Sequence, residues 1–106
     1  MFEAYVKERQ NADCMKYENG FLFYRIQGEE FYIVDLFIEK SHRKSGLLET
    51  IISDASAKAI DNKCKFLSGN IYLNDTGCNR TMAAALKVGF KIMRAENNIL
   101  LIVKEL

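Results

Sequence analysis

Phe31-Tyr32-Ile33-Val34-Asp35-Leu36-Phe37-Ile38 restricts the fold of this chain more than any other run. It is rich in β-branched and aromatic residues and apolar at odd and even positions alike, with Asp35 as its single interruption. A strand wetted on one face alternates apolar and polar residues, whereas one apolar on both faces belongs inside a sheet covered on both sides. The run therefore predicts a central strand from Phe31 to Glu39. Upstream, Cys14 to Glu18 and Phe21 to Ile26 are β-prone runs flanking Asn19-Gly20, two residues that tolerate the positive φ of a tight hairpin. Gln27-Gly28-Glu29 makes a second turn, so residues 14–39 read as a three-stranded meander.

The apolar period then changes. Leu47, Ile51 and Ala55 form one helical stripe, with Leu48, Ile52 and Ala59 beside it, and Asp61-Asn62-Lys63 ends the helix. Cys64 to Tyr72 reads as a strand weakened by Gly69, a residue that marks a bulge or a close ligand. After a loop at Asn74 to Gly77, a second helix runs from about Asn79, a natural N-cap, to Val88, where Gly89 turns the chain. Phe90 to Arg94 and Ile99 to Val103 are strands around Glu96-Asn97-Asn98. At the N-terminus Phe2, Tyr5, Val6 and Arg9 share one face of a short helix over residues 2–10, although Phe2, Ala4 and Val6 also alternate as a strand would. The order is helix, three strands, helix, strand, helix, two strands. It predicts an α/β fold: a mixed, mostly antiparallel sheet with helices on both faces. With 106 residues, no Pro, no repeat and no linker, the chain reads as one domain over residues 1–106.

Composition removes several function classes. Lys and Arg number 15 against 14 Asp and Glu, so no broad polyanion-binding field surrounds the protein, and a nucleic-acid role would need a local patch. The longest apolar run, Ile99 to Val103, is far too short to cross a bilayer, and Met1-Phe2-Glu3-Ala4-Tyr5 does not resemble a signal peptide. Three widely spaced cysteines and one histidine make neither a disulfide framework nor a metal site. The expectation is a cytoplasmic protein without a metal, its cysteines kept reduced.

The stretch with the clearest chemistry is Arg43-Lys44-Ser45-Gly46-Leu47-Leu48, between the central strand and the first long helix. Unpaired amides of a first helical turn, aided by the helix dipole, attract anions, and a Gly lets a phosphate come close to the backbone. The plainer reading is a solvated basic loop with Ser45 as the helix N-cap.

Taken together, the loop and the later helix resemble the GNAT superfamily of acetyl-CoA-dependent N-acetyltransferases, from about Cys14 to the C-terminus. The family's loop reads Arg or Gln-x-x-Gly-x-Gly or Ala, with Val or Ile five residues before the Arg; Ile38, Arg43 and Gly46 match it. Asn79-Arg80-Thr81-Met82-Ala83-Ala84-Ala85-Leu86-Lys87-Val88-Gly89-Phe90 keeps the early Asn and the Lys-x-Gly-Phe ending of the family's later helix. The resemblance implies acetyl-CoA as co-substrate. The amides of Arg43, Lys44, Ser45, Gly46, Leu47 and Leu48 would grip its pyrophosphate, the main chain of Phe37 and Ile38 would pair with its pantetheine arm, and Asn79 would flank the thiol. It also implies direct attack by an amine on the thioester. The amine could be carried by a protein or peptide, because the two long N-terminal elements that wall the family's acceptor site are largely missing; a second subunit, in a homodimer, could close that side. Asp35 would take the amine proton through water, and Tyr72 would protonate the leaving thiolate.

Two further positions depart from the family. Leu48 stands where the family has a second Gly or Ala, and Ala85 where many members carry the thiolate-protonating Tyr. They support an alternative, a GNAT-like domain that has lost turnover and serves as a binding or assembly module. Other residues have plainer readings: Asp35 as a strand carboxylate held by a backbone amide, Tyr72 as a half-buried aromatic, His42 as a solvated side chain, Cys64 and Cys78 as packing residues. The aromatic set Phe21, Phe23, Tyr24, Phe31, Tyr32 and Phe37 reads as sheet core rather than as a platform for bases.

Overall fold

The structure is a computed structural model and describes residues 13–39, 46–73 and 78–106. Its elements are β1 (Asp13–Tyr17), β2 (Gly20–Gln27), β3 (Glu30–Ile38), α1 (Leu47–Asp61), β4 (Phe66–Tyr72), α2 (Cys78–Lys87), β5 (Lys91–Glu96) and β6 (Ile99–Glu105). They build a six-stranded sheet of order β1-β2-β3-β4-β6-β5, antiparallel except where β3 runs parallel to β4. This is the mixed, mostly antiparallel α/β sheet that the sequence predicts. The helix predicted over residues 2–10 lies outside the described residues.

Both described helices lie on one face of the sheet. Leu22, Tyr24, Phe31, Leu67, Ile71, Leu100 and Ile102 form one buried cluster with Ile51, Ile52, Ala55 and Ala59 of α1 and Ala85 of α2. The topology requires this. β3-α1-β4 and β4-α2-β5 each join parallel strands and step in the same direction across the sheet, so right-handed crossovers put both helices on the same side. The opposite face carries a separate cluster of Phe23 with Cys14, Phe21 and Val34. The predicted aromatic core is therefore split: Tyr24 stacks on Phe31 under the helices, and Phe21 packs with Phe23 and Phe37 on the other side.

The turns follow backbone rules, with one difference from expectation. Gly28 (φ 60°) opens the β2–β3 hairpin, and Asn97 and Asn98 (φ 50° and 64°) form the two-residue loop between β5 and β6. The first hairpin forms as predicted, but Glu18-Asn19 is its loop, and Gly20 already pairs with Tyr17 in the ladder. Gly20 is needed for proximity, not for a positive φ. A Cβ there would sit 2.5 Å from the Phe37 carbonyl oxygen. Nor does Gly69 mark a bulge, since it pairs in regular register with Ile102. The irregularities fall instead at Val34, the extra residue where Phe23 faces Asp35 and Tyr24 faces Ile33, and at Met93 in β5.

Candidate functional site

β3 and β4 pair only from Glu30–Phe66 to Tyr32–Ser68. Beyond that point each strand keeps its outer neighbour, β2 or β6, while no pair joins the two. The sheet thus opens at the C-terminal ends of its two parallel strands, where open α/β sheets place their ligands. The expectation that β3 is covered along its whole length holds only for its first half. Phe31 is buried, whereas Asp35 and Phe37 are exposed.

At the mouth of this opening stands the N-terminus of α1. Its cap is Gly46 in the left-handed conformation (φ 85°, ψ 4°), with no described side chain bonded to the first-turn amides. Ser45, expected as the cap on the plainer reading, is thus displaced from that position by Gly46. The first intrahelical bond runs from the Thr50 amide to the Gly46 carbonyl, 3.1 Å, so the amides of Leu47, Leu48 and Glu49 have no acceptor among the described residues. Among the described residues a Cβ at Gly46 would meet only the Glu49 carboxylate, 3.9 Å away. Leu48 does not fill the space over the turn. Leu47 and Leu48 are half-buried and pack against the helix-side core.

Of the other residues singled out in the sequence, Phe37 and Ile38 lie on β3 beyond its last pair with β4: Phe37 faces away from the helices against Phe21, ring centroids 5.4 Å apart, and Ile38 packs toward them. Asp35 is exposed and registers with Phe23 on the face opposite α1 and α2. Tyr72 ends β4, 49% exposed, in register with Ile99. Asn79 is the second residue of α2, inside its first turn rather than at its cap. Arg43, Lys44 and Ser45 lie outside the described residues, as do Lys40 and His42. Ala85 lies on the buried side of α2, and as an alanine it has no acid to offer.

The sequence reading missed a polar ladder on the face opposite the helices, where β3 and β4 meet. The Ser68 hydroxyl, 1% exposed, donates to the Glu30 carboxylate at 2.6 Å, and the Asn70 amide donates to the Tyr32 hydroxyl at 3.0 Å. The Arg25 guanidinium lies 5.1 Å from the centre of the Tyr32 ring. The only signal available was polar residues at alternate positions of β4, Ser68, Asn70 and Tyr72, and it is legible only once the strand's register is known.

Neither Cys14 nor Cys64 has the environment of a nucleophile. Burial pushes the Cys14 and Cys64 thiols up, and the Cys64 sulfur's recorded contact is 3.8 Å from the Gly28 carbonyl. Among the described residues no group of three His, Cys, Asp or Glu side chains could hold a metal ion, and no helix is long and apolar enough to cross a membrane.

No family model and no curated protein matches the sequence. Solved structures do match its fold. The PaiA N-acetyltransferase of Thermoplasma acidophilum, in complex with coenzyme A, superposes with a TM-score of 0.77 at 13% identity, over 95% of this chain and 66% of that one. The IAA acetyltransferase of Bacillus cereus gives 0.74 at 13% identity, over 97% and 83% of the two chains. A GNAT family acetyltransferase of Elizabethkingia anophelis with acetyl-CoA bound gives 0.75 at 17% identity, over 100% of this chain and 84% of that one. This chain, its six-stranded sheet parting after Tyr32 and Ser68, thus has the fold of the GNAT acetyltransferases.

Proposed function

We propose that this protein is an acetyl-CoA-dependent N-acetyltransferase. The observation that carries the reading is the N-terminus of α1, uncapped by any described side chain, at the end of the sheet where β3 and β4 part. Two of the similar structures hold coenzyme A or acetyl-CoA. The amides of Gly46, Leu47 and Leu48, with those of Arg43, Lys44 and Ser45, bind the pyrophosphate, and the helix dipole adds to the attraction. The edge of β3 beyond Tyr32, which the resemblance places at Phe37 and Ile38, pairs with the pantetheine arm as an added strand, and Asn79 flanks the thiol. The acceptor amine attacks the thioester carbon, a C–N bond forms and the C–S bond breaks. Asp35 takes the amine proton through water and Tyr72 returns a proton to the leaving thiolate. Most of the rate comes from holding amine and thioester together.

The second reading, a GNAT-shaped binding or assembly module without turnover, rests on Ala85, which is buried where many members of the family carry their acid. One experiment separates the two. Acetyl-CoA at millimolar concentration is expected to raise the melting temperature by mass action, with thiol release on adding an amine. A shift without thiol release over a panel of amines would favour the module, and no shift would remove both coenzyme roles. Gly46→Glu is expected to abolish the shift, since it places a carboxylate over the amides. Gly46→Ala carries the same left-handed strain without the charge and should retain most of it.

A further inference from the structure

On the face opposite α1 and α2, a groove of ≈ 340 Å³ crosses β3, β4, β6 and β5, lined by Tyr32, Asn70, Arg94, Glu96, Asn97, Ile99 and Leu101. We propose that it is the acceptor site and that it takes a small amine with a carboxylate next to the amine, a free amino acid in class. The proposal rests on the N-acetyltransferase reading and narrows its acceptor from the protein or peptide amine expected from the sequence.

The strand register sets the chemistry. Arg94, Leu101 and Asn70 form one row across β5, β6 and β4, and Glu96, Ile99 and Tyr72 form the next. The second row is the one nearer the open end of the gap, because β4 ends at Tyr72. Two residues of strand separate the rows by roughly 7 Å. Arg94 and Glu96 are exposed, and neither makes an ion pair with a described residue or with the other. A cation and an anion held one row apart, both unneutralised, suit a ligand that carries the two opposite charges at similar spacing. Amine and carboxylate of an amino acid are roughly 3 Å apart, and a charge-assisted hydrogen bond of about 2.8 Å at each end covers the remainder.

The polarity fixes the orientation. Arg94 binds the carboxylate, with the Tyr32 hydroxyl as a second donor, its proton free because it accepts from the Asn70 amide. Glu96 draws the ammonium to the row that runs through Ile99 to Tyr72, the row at the open end of the gap, so that the amine faces along the groove floor toward β4. The apolar floor of Ile99 and Leu101 takes the side chain. The ammonium gives one proton to water, the neutral amine forms the C–N bond as the C–S bond breaks, and the second amine proton ends on the coenzyme A thiolate. One proton is released to solvent overall.

The test uses the full chain, acetyl-CoA and paired acceptors: L-leucine against isoamylamine, and L-phenylalanine against phenethylamine. The amino acids are expected to show kcat/KM about tenfold above the amines lacking the carboxylate, the range of one charge-assisted contact. Arg94→Gln should bring that ratio close to one, mainly by raising KM for the amino acid, and Arg94→Lys should recover part of it. The acetyl-CoA melting shift, measured on each variant, reports the cofactor side separately. Equal kcat/KM for both members of each pair, a ratio that Arg94→Gln does not change, or faster turnover of a peptide N-terminus than of free amino acids would overturn the assignment. If those results came with an intact acetyl-CoA shift and turnover, only the acceptor class would fall. A missing shift in the wild-type protein would overturn the enzyme and its acceptor together.

Discussion

Tyr17 joins the first strand to the first described helix through its hydroxyl, which donates to the Asp54 carboxylate at 2.7 Å. Burial raises the phenol's pKa well above its ordinary 10.0, and the hydrogen bond and the negative charge of Asp54 raise it further. A proton held more tightly in the folded state than in the unfolded one stabilises the fold fully below pH 10, and that stability is lost as pH rises past 10 toward the folded-state value. The denaturation midpoint of the wild-type protein minus that of Tyr17→Phe, followed from pH 8 to 11, should be constant at first and then shrink. A difference that does not change with pH would mean the bond is not formed in solution. Gly20 makes a steric demand instead. Gly20→Ala pushes a methyl group into the Phe37 carbonyl and is expected to cost about 1–3 kcal/mol in urea denaturation.

α1 shows how one element divides its roles. Its buried stripe of Ile51, Ile52, Ala55 and Ala59 was legible from spacing alone, because a 3.6-residue period leaves few alternatives. Its N-terminus was not. Ser45 is the better capping residue in a list of preferences, yet the cap is Gly46, since only a residue at ease with φ 85° can make that turn. Leu48 likewise reads as an obstruction in sequence, and only the direction of its side chain, toward the core, removes the objection. Leu48→Gly is therefore expected to destabilise the fold by about 2 kcal/mol, through lost burial and helix propensity, while the acetyl-CoA melting shift persists. A lost shift in a folded Leu48→Gly protein would show the side chain to be part of the site. Glu49→Gln, which removes the nearest negative charge from the turn, should enlarge the shift.

For the whole molecule, the succession of strands and helices was legible in the sequence, whereas the order of the strands in the sheet and the side each described helix takes follow from right-handed crossovers. The groove proposed as the acceptor site was not legible, because it depends on register: Arg94, Asn70 and Tyr32 lie on three strands far apart in sequence, and no spacing announces that they meet. Cys64, 6% exposed at the end of α1, reports on the intact core. Its reaction with a thiol reagent should be slow in native buffer and follow global opening as urea is added; fast native labelling of Cys64, identified by peptide mapping, would place an opening near the start of β4. The two apolar clusters, one beneath the helices and one behind the sheet, have a consequence for how such a scaffold can diverge. If the groove behind the sheet is the acceptor site proposed above, substitutions at its exposed Arg94 and Glu96 would alter what is accepted while leaving the buried cluster beneath the helices intact. A lineage built on this plan would then change its clientele residue by residue while the start of α1, on the other side of the sheet, stays untouched.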